Sequence, residues 1–319
     1  MKKHLLDYID QAKSSSVRGL RILVEYFYAL EVFEAYHNPN IQVVSVFGSA
    51  RLKPKHPEYE DAKKLGALLY DKGFAVVTGA SQGIMEAANE GVAEALVREL
   101  KGKAKHKKKS ADEIRKTKEF KERLKLYSLG LKISLPFEPD HNQHLGVVAT
   151  FHYFMVRKFF FASLSSAFIA CEGGWGTRDE LFEILTLVQT GKAPLMPIIY
   201  ISPDPKHLEY DLQYALKKKY ISKEDLDLLQ IVSDYKKAVS IIQKFYSVVK
   251  SISYENKPDV EIFIKKPLSK AQQAKVTKLV EGPYKANFPG GVAFYKSKFV
   301  LKDFNYRSYG IVRRIIDAL

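Results

Sequence analysis

A glycine-rich bend holds the residues best suited to chemistry. Between Ala167 and Lys192 the chain reads AFIACEGGWGTRDELFEILTLVQTGK. An apolar run of the length of a buried strand, Ala167 to Cys171, breaks at Gly173, Gly174 and Gly176. It restarts at Thr177 as a helix with Leu181, Ile184, Leu185 and Val188 on one face. A strand, a glycine turn and a helix together aim backbone N–H groups at an anion. Glycine lets the backbone approach a phosphate without a Cβ in the way. The same residues also have a purely local use. Thr177 and Glu180 are spaced as a capping box, with Thr177 at the N-cap and Glu180 at N3. Spacing alone leaves both uses open.

Two further turns have the same character. Ile41 to Phe47 is expected as a strand ending in Gly48-Ser49, and Phe74 to Thr78 as a strand ending in Gly79-Ala80-Ser81-Gln82-Gly83. The second turn opens a helix that begins Ile84-Met85-Glu86 and runs to about Leu100. Ligands meet a parallel sheet at such carboxyl ends. The spacing Gly79-x-x-x-Gly83 is neither the dinucleotide fingerprint nor the P-loop, so it supports neither nicotinamide binding nor P-loop ATP hydrolysis. Arg157 and Lys158 are flanked by bulky apolar residues in FHYFMVRKFFF. Such charges have a partner: a salt bridge on a helix face, or the anion of a ligand. His141, Asn142, Gln143 and His144 fit a polar loop better than a metal site, because no further ligand falls at zinc-like spacing.

The elements that must position these residues follow from periodicity. A helix is expected from Ser14–Ser16 to about Tyr36, with Leu20, Leu23, Val24, Phe27, Leu30 and Phe33 as a core stripe. Tyr59 to Lys72 is a second helix, Leu129 to Leu135 a strand, and Pro136-Phe137-Glu138-Pro139 a loop. A helix entered at Phe151 ends near Leu164, Met196 to Tyr200 is a strand and Lys236 to Val249 a helix. Strands alternating with long helices imply a parallel α/β sheet. Residues 251–319 are set apart as a small α+β appendage: strands at Val260–Lys265 and Ala293–Leu301, helices at Ser269–Val280 and Ser308–Leu319. The expected organisation is a domain at 1–250, with a helical extension at 1–38 and a basic insertion at 101–125, followed by the appendage at 251–319.

Charge and composition narrow the function. The net charge is +15. Residues 101–125 carry +8 and residues 251–319 carry +7, so the remainder is neutral. A charge so confined fits solvated segments, or a lure for anionic nucleotides and regulators, better than a nucleic-acid surface. Residues 101–125 are lysine-dense with almost no apolar content before Leu124, and are expected as an exposed loop or helix. The sequence has no run of about 18 apolar residues, and Asp7 and Asp10 interrupt any signal-like core at the start. The one cysteine, Cys171, is expected in the core and can form no disulfide within the chain. A cytoplasmic setting with no membrane partner is the expectation.

Three motifs stand in order: Phe47-Gly48-Ser49; Thr78-Gly79-x-x-x-Gly83-Ile84-Met85-Glu86-Ala87; and Arg157-Lys158 followed by Gly173-Gly174-x-Gly176-Thr177-x-x-Glu180. Over roughly Ile41 to Val249 this resembles the LOG family of phosphoribohydrolases, formerly labelled "possible lysine decarboxylase", and most of all its longer bacterial branch. The resemblance implies an α/β, Rossmann-like, doubly wound parallel sheet with N-terminal helices, assembled as a homodimer or higher oligomer. It implies hydrolysis of nucleoside 5′-monophosphates to free base and ribose 5-phosphate, with no cofactor and no metal. Arg157 and Glu180 would be the catalytic pair. Gly173, Gly174, Gly176 and Thr177 would hold the phosphate, and Gly48, Ser49, Gly79, Gly83, Glu86 and Lys158 would complete the substrate site. Glu183 falls on the next turn after Glu180. The same fold could also serve as a catalytically weak nucleotide-binding module. Pyridoxal-dependent decarboxylation ranks last, because no lysine lies in a recognisable cofactor motif.

This chain departs from the family pattern at two points. Glu172 replaces the proline before Gly173-Gly174, and a carboxylate there would repel phosphate unless it points away or pairs, with Lys158 or Arg178. Ala80-Ser81 stands where glycines are common, and a Cβ there would narrow the room for a ligand.

Overall fold

The computed structural model describes residues 15–36, 38–135, 141–305 and 309–319. The expected loop Pro136–Pro139, the cap residue Ser14 and the expected helix start Ser308 lie outside them. The chain forms two compact units, Met1–Ser166 and Ala167–Leu319. Seven strands form one sheet in the order β4-β3-β2-β1-β5-β6-β7, and four more form a second sheet.

The first unit contains α1 (Ser15–Tyr36), β1 (Val43–Phe47), α2 (Pro57–Asp71), β2 (Ala75–Thr78) and α3 (Ile84–Lys101). It continues with α4 (Ala111–Lys116), α5 (Lys118–Tyr127), β3 (Ser128–Ile133), β4 (Val147–Phe151) and α6 (Phe154–Leu164). β1 pairs with β2, β2 with β3 and β3 with β4, all parallel. β1 and β2 are buried along their whole length, as strands covered on both faces must be. α2 and α3 touch backbone to backbone: a Cβ at Gly66 would overlap the Ala88 carbonyl, and one at Gly91 the Lys63 carbonyl. That close approach sets the separation of α2 and α3.

Three expectations are corrected here. The α1 stripe is not a core stripe: Ala29 and Phe33 are buried, but Leu20, Leu23 and Phe27 are more than half exposed. The basic segment takes the helical alternative, but it is not wholly exposed. It folds into α4 and α5, buries Ile114, Phe120 and Leu124, and gathers Lys103, Lys105 and His106 around Glu119 at 2.7–3.0 Å. Val147–Phe151 forms a strand, so the helix that follows starts at Phe154 rather than Phe151.

The second unit contains β5 (Ser165–Cys171, beginning two residues before the division), α7 (Trp175–Gln189), β6 (Ile198–Ile201), α8 (Lys206–Lys217), β7 (Leu229–Val232) and α9 (Tyr235–Val248). β5, β6 and β7 run parallel. Then come β8 (Val249–Ser253), β9 (Val260–Ile264), α10 (Lys270–Glu281), β10 (Val292–Phe294), β11 (Lys298–Leu301) and α11 (Gly310–Asp317). The segment expected as one strand at Ala293–Leu301 is a hairpin, β10 against β11, in an antiparallel sheet ordered β10-β11-β9-β8. α11 is tied to the segment before β7 by Arg314, which reaches Asp227 at 2.5 Å and Tyr284 at 2.7 Å. Among the described residues no helix is long and apolar enough to cross a membrane.

Candidate functional site

In the first unit, two turns and one arginine come together at the carboxyl ends of β1 and β2. The Ile84 N–H donates to the Ser49 carbonyl at 3.0 Å, joining the turn after β1 to the start of α3. A Cβ at Gly48 would overlap the Ile84 side chain. Gly83, the N-cap of α3, sits at φ 71° and ψ −132°, and a Cβ there would run into the Ser49 carbonyl and the Ala50 backbone. Only glycine fits. No side chain caps α3, so backbone groups open the helix.

Arg157 belongs to this group. It lies on α6 and is 8% exposed. Its guanidinium is placed over the rings of Phe154 at 5.1 Å and Phe161 at 5.7 Å, and Phe161 packs edge-on against Phe47 of β1. A Cβ at Gly79 would lie 3.9 Å from an Arg157 guanidinium nitrogen. The aromatic run around Arg157 is therefore a mounting that holds a cation beside the turn after β2. Lys158, the next residue on α6, is half-buried. Glu86, in the first turn of α3, is also half-buried. Burial, reinforced by the negative charge of Glu90, holds its carboxyl above the ordinary range, and Lys53 pulls the other way. Glu90 behaves oppositely. Burial pushes it up, but hydrogen bonds from Lys63 and Tyr59 outweigh that and keep it low.

Ala80 answers one of the two departures. It keeps a glycine-like φ of 63°, yet its methyl faces β3, where a Cβ at Gly130 would lie 2.9 Å from it. Gly130 makes the room, so the methyl does not fill the open side of the turn. A buried network clamps this turn. Thr78 donates to Asn89 at 2.7 Å, Asn89 donates to Ser128 at 2.9 Å, and Asn142 donates to Asn89 at 3.2 Å. The Asn142 N–H donates to the Ala80 carbonyl at 3.0 Å. The loop read as merely polar thus has a role, as the strut of the turn after β2. His144 in that loop is half-buried, and burial pushes its pKa down. Asn89 and Asn142 carried no motif, and only the burial of an asparagine in a helix stripe could have flagged Asn89.

In the second unit the bend after β5 differs from the expected cap. α7 begins at Trp175 with Gly174 as N-cap, and no side chain caps it. Thr177 is therefore inside the first turn rather than at the cap, and the capping box is not formed. Thr177 and Glu180 instead lie on the buried face of α7, 7% and 4% exposed, with Leu181, Ile184 and Val188. Glu183 is half-buried on the same helix. A Cβ at Gly174 or at Gly176 would meet nothing within 4 Å, so neither glycine is demanded by protein packing. Trp175 between them is 89% exposed. The carboxylate of the other departure is hydrogen-bonded within this unit, by a neutral hydroxyl rather than by a cation. The Glu172 carboxylate accepts a hydrogen bond from the Ser202 hydroxyl, after β6, while Arg178 faces Asp211 at 3.9 Å. Ser202 had no signal in the sequence.

Among the described residues, no group of three or more His, Cys, Asp or Glu side chains is gathered to hold a metal. In each unit a glycine-opened helix can bind an anion, in the first beside the mounted Arg157. A buried carboxylate can face developing positive charge.

Two family models match the chain. The family model described as "Possible lysine decarboxylase" matches residues 77–242, and the "SLOG cluster4 family" model matches residues 41–100. No curated protein matches the chain. Similar solved structures include the molybdenum cofactor binding protein from the phototrophic bacterium Rippkaea orientalis, at 18% identity over 65% of this chain and 98% of that one, TM-score 0.41. The molybdenum cofactor carrier protein from Chlamydomonas reinhardtii is 15% identical over 64% of this chain and 98% of that one, TM-score 0.42. DNA processing protein A from Helicobacter pylori is 15% identical over 64% and 80%, TM-score 0.37. None of these assigns a ligand to this chain. The first family model spans more than half of the chain, which therefore belongs to the possible lysine decarboxylase family, the LOG family.

Proposed function

We propose that this protein hydrolyses the N-glycosidic bond of nucleoside 5′-monophosphates. The observation that carries this reading is that each unit holds a glycine turn opening an uncapped helix, with a buried charge on or beside it. Arg157 and Glu180 are 8% and 4% exposed, and each is placed behind a glycine turn at the carboxyl end of a strand. Family membership supplies the reaction class, and glycine turns opening uncapped helices suit a phosphate.

The chemistry balances with water alone. The C1′–N bond breaks and its electron pair leaves with the base. Water forms the new C1′–O bond, one of its protons is lost, and the base gains one. The sugar passes through an oxocarbenium-like state. Glu180 stabilises that charge and accepts the water proton, while Arg157 anchors the nucleotide. Glu86, at the turn after β2, is a second carboxylate candidate, and burial holds its carboxyl above the ordinary range. Gly173, Gly174, Gly176 and Thr177 take the phosphate, with Gly48, Ser49, Gly79, Gly83 and Lys158 completing the substrate site.

We also propose a homo-oligomer built on the first unit. Leu20, Phe27, Phe154, Met155 and Phe159 are 48–63% exposed on α1 and α6, and Tyr26 on α1 packs against Phe159 on α6. Apolar surface of this kind marks an association face. The decisive test of the reaction is a screen of nucleoside 5′-monophosphates for base release. Release of ribose 5-phosphate with free base is expected. Tight nucleotide binding without turnover would leave a binding module in its place.

A further inference from the structure

We propose that Trp175 is a stacking platform for the nucleobase, and that it makes the site favour purine over pyrimidine 5′-monophosphates. The proposal rests on the bend after β5 being the phosphate turn. Trp175 is the only tryptophan of the chain, and it is 89% exposed at the first position of α7. Tryptophan is highly buried on average, and this indole is left in water.

Its neighbours keep the space around it clear. Gly174 and Gly176 flank it, and a Cβ at either would meet nothing within 4 Å. Side chains could fit at both positions without touching protein, yet both are glycine. An indole standing between two bare backbone positions offers both ring faces. Of the charged residues near it, Glu172 accepts from Ser202, and Arg178 faces Asp211. The bend itself offers backbone N–H donors and an aromatic face. Those are the two things a mononucleotide asks for, an anion site and a stack. A nucleotide held by its 5′-phosphate at this turn has its base one ribose away from the indole. Stacking reads ring area rather than edge hydrogen bonds, which favours the larger purine.

A sole tryptophan makes the test direct. Its emission is followed on mixing the wild-type protein with AMP, CMP or ribose 5-phosphate, before turnover, with affinities measured by calorimetry. Saturable quenching by AMP, less by CMP and none by ribose 5-phosphate is expected. Trp175→Ala should weaken AMP binding roughly tenfold, the size of one base–aromatic stack. It should leave ribose 5-phosphate binding unchanged, and Trp175→Phe should keep most of the AMP affinity. Equal AMP affinity in wild type and Trp175→Ala, with no change in emission, would overturn the platform while leaving the phosphate turn in place. Failure of both AMP and ribose 5-phosphate to bind the wild-type protein would overturn the phosphate turn, and the platform with it.

Discussion

Gly83 and Ala80 lie three residues apart in one turn, both at positive φ, and opposite substitutions at them should behave very differently. Gly83 is at φ 71° and ψ −132°, a region essentially closed to side chains. An alanine there costs about 1–3 kcal/mol in backbone strain. Its methyl also meets the Ser49 carbonyl and the Ala50 backbone, neither of which can rotate away. The stiffer unfolded chain returns only about 0.4–1 kcal/mol. Gly83→Ala should therefore destabilise by at least about 2 kcal/mol, given the strain and the overlap together. Ala80 is at φ 63°, so Ala80→Gly relieves about 1–2 kcal/mol of left-handed strain. It loses about 0.8 kcal/mol for one buried methyl and about 0.4–1 kcal/mol through the unfolded chain, so the terms nearly cancel. Urea unfolding followed by far-UV circular dichroism separates the two. With m near 3 kcal/mol/M, the Gly83→Ala midpoint should fall by roughly 0.7 M and the Ala80→Gly midpoint should hardly move. A Gly83→Ala protein with the wild-type midpoint would refute the account of this turn.

Other consequences follow from the same structure. Arg313 is 1% exposed, stacks on Phe245 at 5.1 Å and is bound by Asp317 at 2.9 Å, so Asp317→Ala should cost about 3 kcal/mol in urea titration by leaving a buried cation uncompensated. Phe27→Glu or Met155→Glu should reduce the proposed assembly to monomers in light scattering, because each places a charge on the exposed apolar face of α1 and α6. Arg123 holds the Glu99 carboxyl below the ordinary range, helped by Tyr70 and against burial. A depressed folded-state value adds stability above the unfolded carboxylate pKa of about 4.3 and loses it as pH falls through the folded value. Glu99→Gln should thus cost stability at pH 7 and progressively less in acid, measured by thermal melts across pH.

Much of the fold was legible in the sequence because its strands are buried on both faces. Ala75–Thr78 and Ser165–Cys171 stand out as apolar runs, and the glycine turns that follow them mark where helices restart. The half-exposed strand Val147–Phe151 was hidden, since alternation in VVATF merges into the aromatic start of α6. Periodicity gave α1 its apolar stripe but could not say whether that stripe faces the chain's own core. Thr177 and Glu180 satisfied the capping spacing, yet the helix starts two residues earlier at Trp175 and both side chains lie on its buried face. Contacts made across long separations, Asn142 with Ala80 and Glu172 with Ser202, leave no local pattern to read.

Glu180→Gln tests the central claim most directly. The change keeps the side-chain volume at a site that is 4% exposed, so the fold should survive with an unchanged circular dichroism spectrum. Ribose 5-phosphate released from AMP is then measured for the wild-type and variant proteins side by side. The account predicts release by the wild type and none by the variant; full release by a folded Glu180→Gln protein would contradict it.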